Sequence, residues 1–448
     1  MTGKQKSQAN PDPTCTHQAA FWRQCLRLYS KAYKKIRYKL HYARVVGGHA
    51  ARTKLARAFF SLPGLRHRDP RAKVAASRAL CESVHEKAAP PTGRDWLVSV
   101  WPSETQRRQP PVASTIEELR AFTSGSLPYQ QGCESLSPEV FLACFHRPAI
   151  FPRDFSITSS QGRIVFESAL SKWYVLERSE RLNRIGGVPT RHLSGTYCHL
   201  GHPWSSAYYH WILEVLPKLS ILNQDPSTRK HPFIVPTLRH PFQLDTLRLA
   251  GISLDRIIQI PPSSGDITVD RLYFSESLGT TSNPSSRAVE WLRRTYLPTS
   301  KNPRRRKLYV SRRDAPSRRV ANEDELVDFL SQEGFETICP GSMTFAEQVE
   351  TFREASVVAA PHGAGLTNMI FAPPGATLVE FFGDNYINGC YWAISNLCDH
   401  RYGVVVSPSQ TPDFHVPVAR VAAVLKQIED VSAGLPRDRK LDVRTFRP

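Results

Sequence analysis

Ser356-Val-Val-Ala-Ala-Pro-His-Gly-Ala-Gly-Leu-Thr-Asn-Met-Ile-Phe371 runs through Ala372 into Pro373-Pro-Gly-Ala-Thr-Leu-Val-Glu-Phe381. An apolar run of strand length ends at Pro361-His362. Two glycines follow, then a segment of helical character, then a second apolar run ending on Glu380. This is the layout of a parallel-sheet crossover whose turn lies at the carboxyl edge of the strand, where open α/β sheets bind ligands. The start of the following helix offers free backbone N–H groups and a positive dipole end, which suits an anion such as a diphosphate. The full GxGxxG fingerprint is absent, because the third position after Gly365 is Asn368, and this weighs against a dinucleotide cofactor. Tight strand–helix packing would use the same two glycines.

Working outward, strands are expected near 308–311, 335–338, 357–360, 377–381 and 402–406. Helices are expected over 322–332, 344–353, 391–397 and 418–431, the first capped by Asn322 with Glu323, Asp324 and Glu325 in its opening turn. Upstream, strands near 196–200, 233–235, 256–260 and 269–275 alternate with helices near 208–222, 240–250 and 285–296. Alternation at this spacing predicts parallel sheets covered on both faces. The basic stretch 301–307 reads as a linker, giving two Rossmann-like lobes facing a cleft, residues 91–300 and 301–448. Residues 91–140, rich in Pro, Ser and Gln, are expected to be loops with short strands, and β-type residues return at 162–166 and 172–176.

The 448 residues carry 59 Lys+Arg against 40 Asp+Glu, a net charge of +19. The excess is concentrated: residues 13–68 hold no acidic side chain. There Trp22, Leu26, Tyr29, Tyr33, Ile36 and Leu40 recur at helical spacing, with cations filling much of the remainder. Residues 1–90 therefore read as a basic helical arm that either packs on the protein's own body or meets an anionic membrane surface. No reader motif for nucleic acid accompanies the charge. No apolar run reaches bilayer-spanning length, and the polar N-terminus lacks the core of a secretory signal. Nine cysteines without ligand spacing point to reduced, packing thiols in a cytoplasmic protein.

Besides the turn His362-Gly-Ala-Gly365 with Asn368, three clusters can carry chemistry. Ser311-Arg-Arg-Asp-Ala-Pro-Ser-Arg-Arg319 follows a strand and puts Arg312, Arg313, Arg318 and Arg319 where guanidinium forks could clamp phosphate oxygens; the alternative is salt bridges to Glu323–Glu325. Glu380, at a strand end, could accept ribose hydroxyls or serve as a paired structural acid. His210 and Glu214 stand i, i+4 on one helix face, an arrangement that fixes an imidazole tautomer and suits a general base. A single histidine on a partly apolar helix is more often packed than catalytic, and the second histidine of HExxH is missing.

HWILEVLPKL, LYVSRRDAPSRRVANEDEL and PHGAGLTNMIFAPPGATLVEFF, in that order over residues 195–406, resemble glycosyltransferase family 61, which includes bacterial capsule-type enzymes and eukaryotic xylosyl- and N-acetylglucosaminyl-transferases. The resemblance implies a GT-B fold and inverting transfer from a nucleotide-sugar co-substrate to a glycan or lipid-linked glycan acceptor, with no further cofactor. It implies donor-binding roles for Arg312, Arg313, Arg318, Arg319, His362, Gly363, Gly365, Asn368 and Glu380, with His210 and Glu214 in the motif across the cleft. The family often has Asn before the aromatic there, where this chain has Ala207-Tyr208. No DxD occurs, so a metal-bridged diphosphate has no obvious ligand. Two rivals remain: a nucleotide-sugar epimerase, and a non-catalytic polyanion- or membrane-binding protein on the same scaffold.

Overall fold

Two sheets carry the fold. The computed structural model describes residues 74–75, 80–83, 93–125, 134–168, 190–298 and 305–434, all within one unit, Pro70–Pro448. The amphipathic helix expected within residues 13–68, the strand expected at 172–176 and the linker residues 301–304 lie outside the described residues.

The second sheet is parallel throughout. Its order is Phe335–Ile338, Arg306–Val310, Ala355–Pro361, Thr377–Gly383, Arg401–Ser407 and then Val112–Ala113. Thr377–Gly383 is buried along its whole length, as expected of a strand covered on both faces. Leu326, Leu330, Val421, Val424 and Ile428 pack one face, while Phe345, Val349, Tyr391, Ile394 and Phe122 belong to the core on the other. Helix Phe345–Arg353 starts with a capping box. The Thr344 hydroxyl accepts from Glu347 N–H at 3.2 Å and the Glu347 carboxylate accepts from Thr344 N–H at 2.8 Å. Asn322 departs from expectation: it precedes helix Glu323–Gln332, but its amide donates to Val416 O and Glu325 and accepts from Val416 N–H, so it ties the helix to the C-terminal segment instead of capping it.

The first sheet corrects the expectation of a second purely parallel lobe. Ile257–Ile260, Phe233–Pro236, Thr190–His199 and Asp266–Ser275 are mutually parallel neighbours in that order. Beyond Asp266–Ser275 the sheet turns antiparallel through Val140–His146 and Trp96–Trp101. Between Trp96–Trp101 and Val140–His146 the chain leaves this sheet and forms strand Val112–Ala113 and helix Ile116–Gly125.

That helix and the strand Val112–Ala113 also cross the expected 91–300/301–448 division. Val112 pairs with Gly403 and Ala113 with Val404 at the edge of the second sheet. Buried Glu118 accepts from Val406 N–H at 3.2 Å and from Ser114 N–H at 3.0 Å. Trp392 Nε1 donates to Gln109 O at 2.7 Å. Among the described residues, no helix is long and apolar enough to cross a membrane.

Candidate active site

Apart from the edge strand Val112–Ala113, the chain enters the second sheet at Arg306–Val310, goes to one side for its next strand and to the other for all later ones. The order therefore reverses between Arg306–Val310 and Ala355–Pro361, and ligands bind in the crevice at such a reversal. The two loops leaving these strands are the arginine loop and the His362–Gly365 turn. They touch: a Cβ placed on Gly363 would lie 2.0 Å from Arg312 Nη1 and 2.8 Å from its Cζ. Gly363 has an extended backbone, φ −173°, so space for Arg312, not conformation, demands glycine here.

The four arginines separate into two kinds. Arg313 is held by Glu323 at 2.7 Å and by Asp324, and Arg319 by Asp413 at 2.8 Å. Arg312 has no carboxylate contact among the described residues. Its Nη2 donates to Ser317 O at 3.1 Å and its buried Nε has no hydrogen-bond partner there. Burial first, and then the charge of Arg318, hold its pKa below the usual guanidinium range. Arg318 has a left-handed backbone, φ 59°, unfavourable for a residue with a Cβ, and its guanidinium lies 4.9 Å from the Tyr386 ring centre. Two like charges beside a glycine turn are costly unless an anion joins them.

His362 and Glu380 stand beside them as a buried pair. His362 Nδ1 lies 2.5 Å from Glu380 Oε1, and the Tyr402 hydroxyl donates to Glu380 Oε2 at 2.6 Å. Glu380 is 0% exposed and both its oxygens are engaged, so it has no free face for a ribose hydroxyl. Burial raises its carboxyl well above the ordinary range. Burial, followed by Arg318 and Arg312, holds the His362 imidazole well below its own. Both shifts favour the neutral pair, in which the carboxyl O–H donates to Nδ1 and the proton of His362 sits on Nε2 as a hydrogen-bond donor. Asn368 is also fully engaged, accepting from the Tyr208 hydroxyl at 2.6 Å and donating to Gln348 at 2.7 Å and Gly365 O at 3.1 Å. Gly365 is backed by Val310 and Pro340, each 3.3 Å from a would-be Cβ.

The first sheet has its own reversal, between Thr190–His199 and Asp266–Ser275. The segment after Thr190–His199 leads into Tyr208–Leu222. This helix opens with α geometry at Tyr208–His210, widens to a π turn over Trp211–Val215 and tightens to 3-10 at Leu216–Lys218. Pro217 supplies the cause: it has no N–H to give Leu213 O, and the ladder slips so that Leu216 N–H reaches Trp211 O. Glu214, within this turn, is buried, and its Oε2 lies 2.8 Å from His210 Nδ1 and 3.1 Å from His202 Nε2. Burial would raise the Glu214 carboxyl, but the two imidazoles outweigh it and hold the group below its ordinary value. The ionised carboxylate accepts from His210 Nδ1–H, leaving the Nε2 lone pair of a ring whose side chain is 19% exposed. The two His–Glu pairs are thus opposite in sense: His210 offers a lone pair, His362 a proton.

His202, His210 and Glu214 also form the one described trio of ligand-type groups whose donor atoms all lie within 4.8 Å. Trp204 N–H donates to His202 Nδ1 at 3.3 Å. An amide can only donate, so the ring proton is on Nε2, the atom that faces Glu214. A ligating imidazole needs its lone pair there and normally donates its other N–H outward. In that tautomer His202 turns no lone pair toward Glu214.

Rings join the two clusters. Tyr209 lies against His210 at 5.3 Å between centroids, Tyr209 against Tyr391 at 6.0 Å, and Tyr391 against His362 at 5.2 Å. The structure thus brings Arg312, Arg318, His362 and Gly363 together and sets His210 and Glu214 across the tyrosines. Arg313 and Arg319 are turned to carboxylates, while Asn368, Gly365 and Glu380 build the walls. Sequence reasoning missed His202, Tyr209 and Tyr391. Tyr209 adjoins His210 and was in view; His202 gave only a His-Pro-Trp loop.

Comparison with known proteins gives two findings. Residues 208–379 match the family model described as Glycosyltransferase 61. Over 124 residues the chain is 27% identical to a beta-1,2-xylosyltransferase of Oryza sativa subsp. japonica, covering 26% of this chain and 22% of that protein. The matched stretch therefore spans about a fifth of the relative's length.

Proposed function

We propose that this chain, whose residues 208–379 belong to glycosyltransferase family 61, transfers a sugar from a nucleotide-sugar to a hydroxyl of a glycan or lipid-linked glycan, as in the building of a surface polysaccharide. The fold is read as GT-B, with a donor lobe and an acceptor lobe. The observation that carries the reading is the pairing of Arg312 and Arg318 against the Gly363 turn, at the reversal of one sheet, with a His–Glu base at the reversal of the other.

In this reading the acceptor oxygen attacks the anomeric carbon from the side opposite the leaving group, so configuration inverts. His210 Nε2 takes the hydroxyl proton as the new C–O bond forms, and Glu214 balances the imidazolium. The bond from the anomeric carbon to the diphosphate oxygen breaks, and its electron pair leaves on that oxygen. Arg312, Arg318 and His362 Nε2–H receive the negative charge, donors already in position before it develops. The scheme takes its positive charge from guanidiniums and needs no metal ion. Glu380 acts through His362 by fixing its tautomer.

The test is a screen of nucleotide-sugars, starting with a nucleotide-activated xylose, for thermal stabilisation and for transfer of label to glycan acceptors. A true donor raises Tm by binding the native state preferentially. His210→Ala is expected to lower kcat by about 100-fold or more while nucleoside diphosphate binding persists. Near-normal transfer by that variant would remove the base assignment; the absence of transfer with every donor would remove the function.

A further inference from the structure

Tyr386 stands in the loop that leaves strand Thr377–Gly383, the next strand along the sheet from the one that ends in the His362–Gly365 turn. It is 38% exposed, and its hydroxyl has no hydrogen-bond partner among the described residues. A single exposed ring needs no explanation in itself. This one is held firmly in place. Ser409 N–H donates to Asp384 Oδ1 at 2.8 Å, Asn385 Nδ2 donates to Thr411 O at 2.6 Å, and Tyr386 N–H closes a turn on Gly383 O at 3.1 Å. At Gly383 a Cβ would lie 3.0 Å from Ser409 Cβ, so the two segments are in close contact. Residues 409–414 also hold the end of the arginine loop. Arg319 N–H donates to Asp413 Oδ1 at 3.0 Å, and Phe414 N–H donates to Arg319 O at 3.1 Å. One brace therefore sets both the Tyr386 ring and Arg318, whose guanidinium lies over that ring at 4.9 Å. The His362 ring is 5.6 Å from it.

We infer that Tyr386 is the platform on which the nucleobase of the donor stacks, while the diphosphate occupies Arg312, Arg318 and the Gly363 turn. The inference rests on the nucleotide-sugar reading of this site. Position supplies the reason. In nucleotide-binding sheets the diphosphate takes the turn after one strand and the nucleoside reaches the end of the next. Here the next strand has no free acid for a ribose, because Glu380 is enclosed by His362 and Tyr402. Its loop offers an exposed aromatic ring instead, beside the two groups that would hold the diphosphate. Arg318 is suited to both neighbours, since a guanidinium is attracted to an aromatic face and to phosphate oxygens. Every base has a π-face, so stacking on a tyrosine adds affinity without choosing the base.

Titration calorimetry of the full chain with uridine diphosphate, guanosine diphosphate and inorganic pyrophosphate tests this. Tyr386→Ala is expected to weaken whichever nucleoside diphosphates the wild type binds, each by about 5- to 100-fold, and to leave pyrophosphate affinity unchanged. Tyr386→Phe and Tyr386→Trp keep a flat ring and are expected to bind within about threefold of wild type. The Tm of Tyr386→Ala should stay within about 2 °C of wild type, as at other exposed positions, so that folding does not confuse the comparison.

An equal loss for pyrophosphate would mean that the ring acts only by placing Arg318, and would overturn the inference. A wild type that binds no nucleoside diphosphate would remove the nucleotide-sugar reading and this inference with it. Nucleotide binding that Tyr386→Ala leaves intact would remove this inference alone.

Discussion

Replacing Glu380 by glutamine and by alanine tests whether the buried His362–Glu380 pair is neutral. Glu380 is 0% exposed, with His362 Nδ1 on one oxygen and the Tyr402 hydroxyl on the other. If the carboxyl carries a proton, Glu380→Gln reproduces both contacts: the amide N–H₂ donates to Nδ1 and the amide oxygen accepts from Tyr402. The cost should stay under about 1 kcal/mol. Glu380→Ala leaves two buried groups without partners, at about 1–3 kcal/mol each, and removes packed side-chain atoms worth about 1–2 kcal/mol, for a total of about 3–8 kcal/mol. If the pair were ionic, Glu380→Gln would strand a buried imidazolium at about 3–5 kcal/mol.

The pH dependence has a definite sign. The folded-state pKa of Glu380 is raised above its ordinary 4.5, so its contribution is fully present below that value and is lost as pH rises toward the folded pKa. Glutamine has no such loss, so Glu380→Gln should gain on wild type between pH 5 and pH 8. The imidazole of His362 is depressed below 6.5. Its contribution is present above 6.5 and is lost as pH falls toward the folded pKa, similarly in both proteins, and so largely cancels. Thermal unfolding at pH 5, 7 and 8 measures all of this, at about 1–3 °C per kcal/mol for a chain this long. A Tm for Glu380→Gln at pH 7 as low as that of Glu380→Ala would refute the neutral pair.

Arg312→Ala should weaken nucleoside diphosphate binding by about 10- to 100-fold, whereas Arg313→Ala, already bound to Glu323 and Asp324, should change it by less than about threefold; titration calorimetry compares them, and equal losses would count against the division of the arginines. Gly363→Ala displaces the Arg312 guanidinium without backbone strain. Its affinity loss should match that of Arg312→Ala and not add to it in a double-mutant cycle, with Tm within about 2 °C of wild type. Tyr208→Phe leaves the buried Asn368 Oδ1 without its 2.6 Å donor and should destabilise the protein by about 1–3 kcal/mol, read as Tm; an unchanged Tm would mean that water replaces the hydroxyl.

The second sheet was legible because its strands are apolar runs separated by helices with readable starts, as at Thr344 and Glu347. Val140–His146, buried through Phe145, lies just beyond the stretch 91–140 read as loops and carries no expectation, since a run buried on both faces lacks alternation. Helix Ile116–Gly125 carried a usable signal in Thr115 and Glu118, whose N–H does bond the Thr115 hydroxyl at 3.2 Å, but the Pro- and Ser-rich neighbourhood masked it. The i, i+4 contact of His210 and Glu214 follows from helix geometry and held even through the π turn. What could not be read was which arginines are unclaimed. The partner of Arg319 is Asp413, 94 residues away, and no local pattern couples them. Likewise the burial of Glu380 depends on Tyr402, contributed by the neighbouring strand.

The edge strand Val112–Ala113 bears on how the chain matures. Its partner residues Gly403 and Val404 are synthesised about 290 residues later. At about 5–20 residues per second, the strand waits about 15–60 s after its own synthesis before that edge exists. During that interval Trp392, which caps Gln109 O, and the sheet that receives helix Ile116–Gly125 are also missing. The early segment therefore waits with an apolar helix face uncovered. It also follows that residues 301–448 expressed alone would lack one sheet edge and part of their helical cover, so this part of the chain is not a separable genetic cassette.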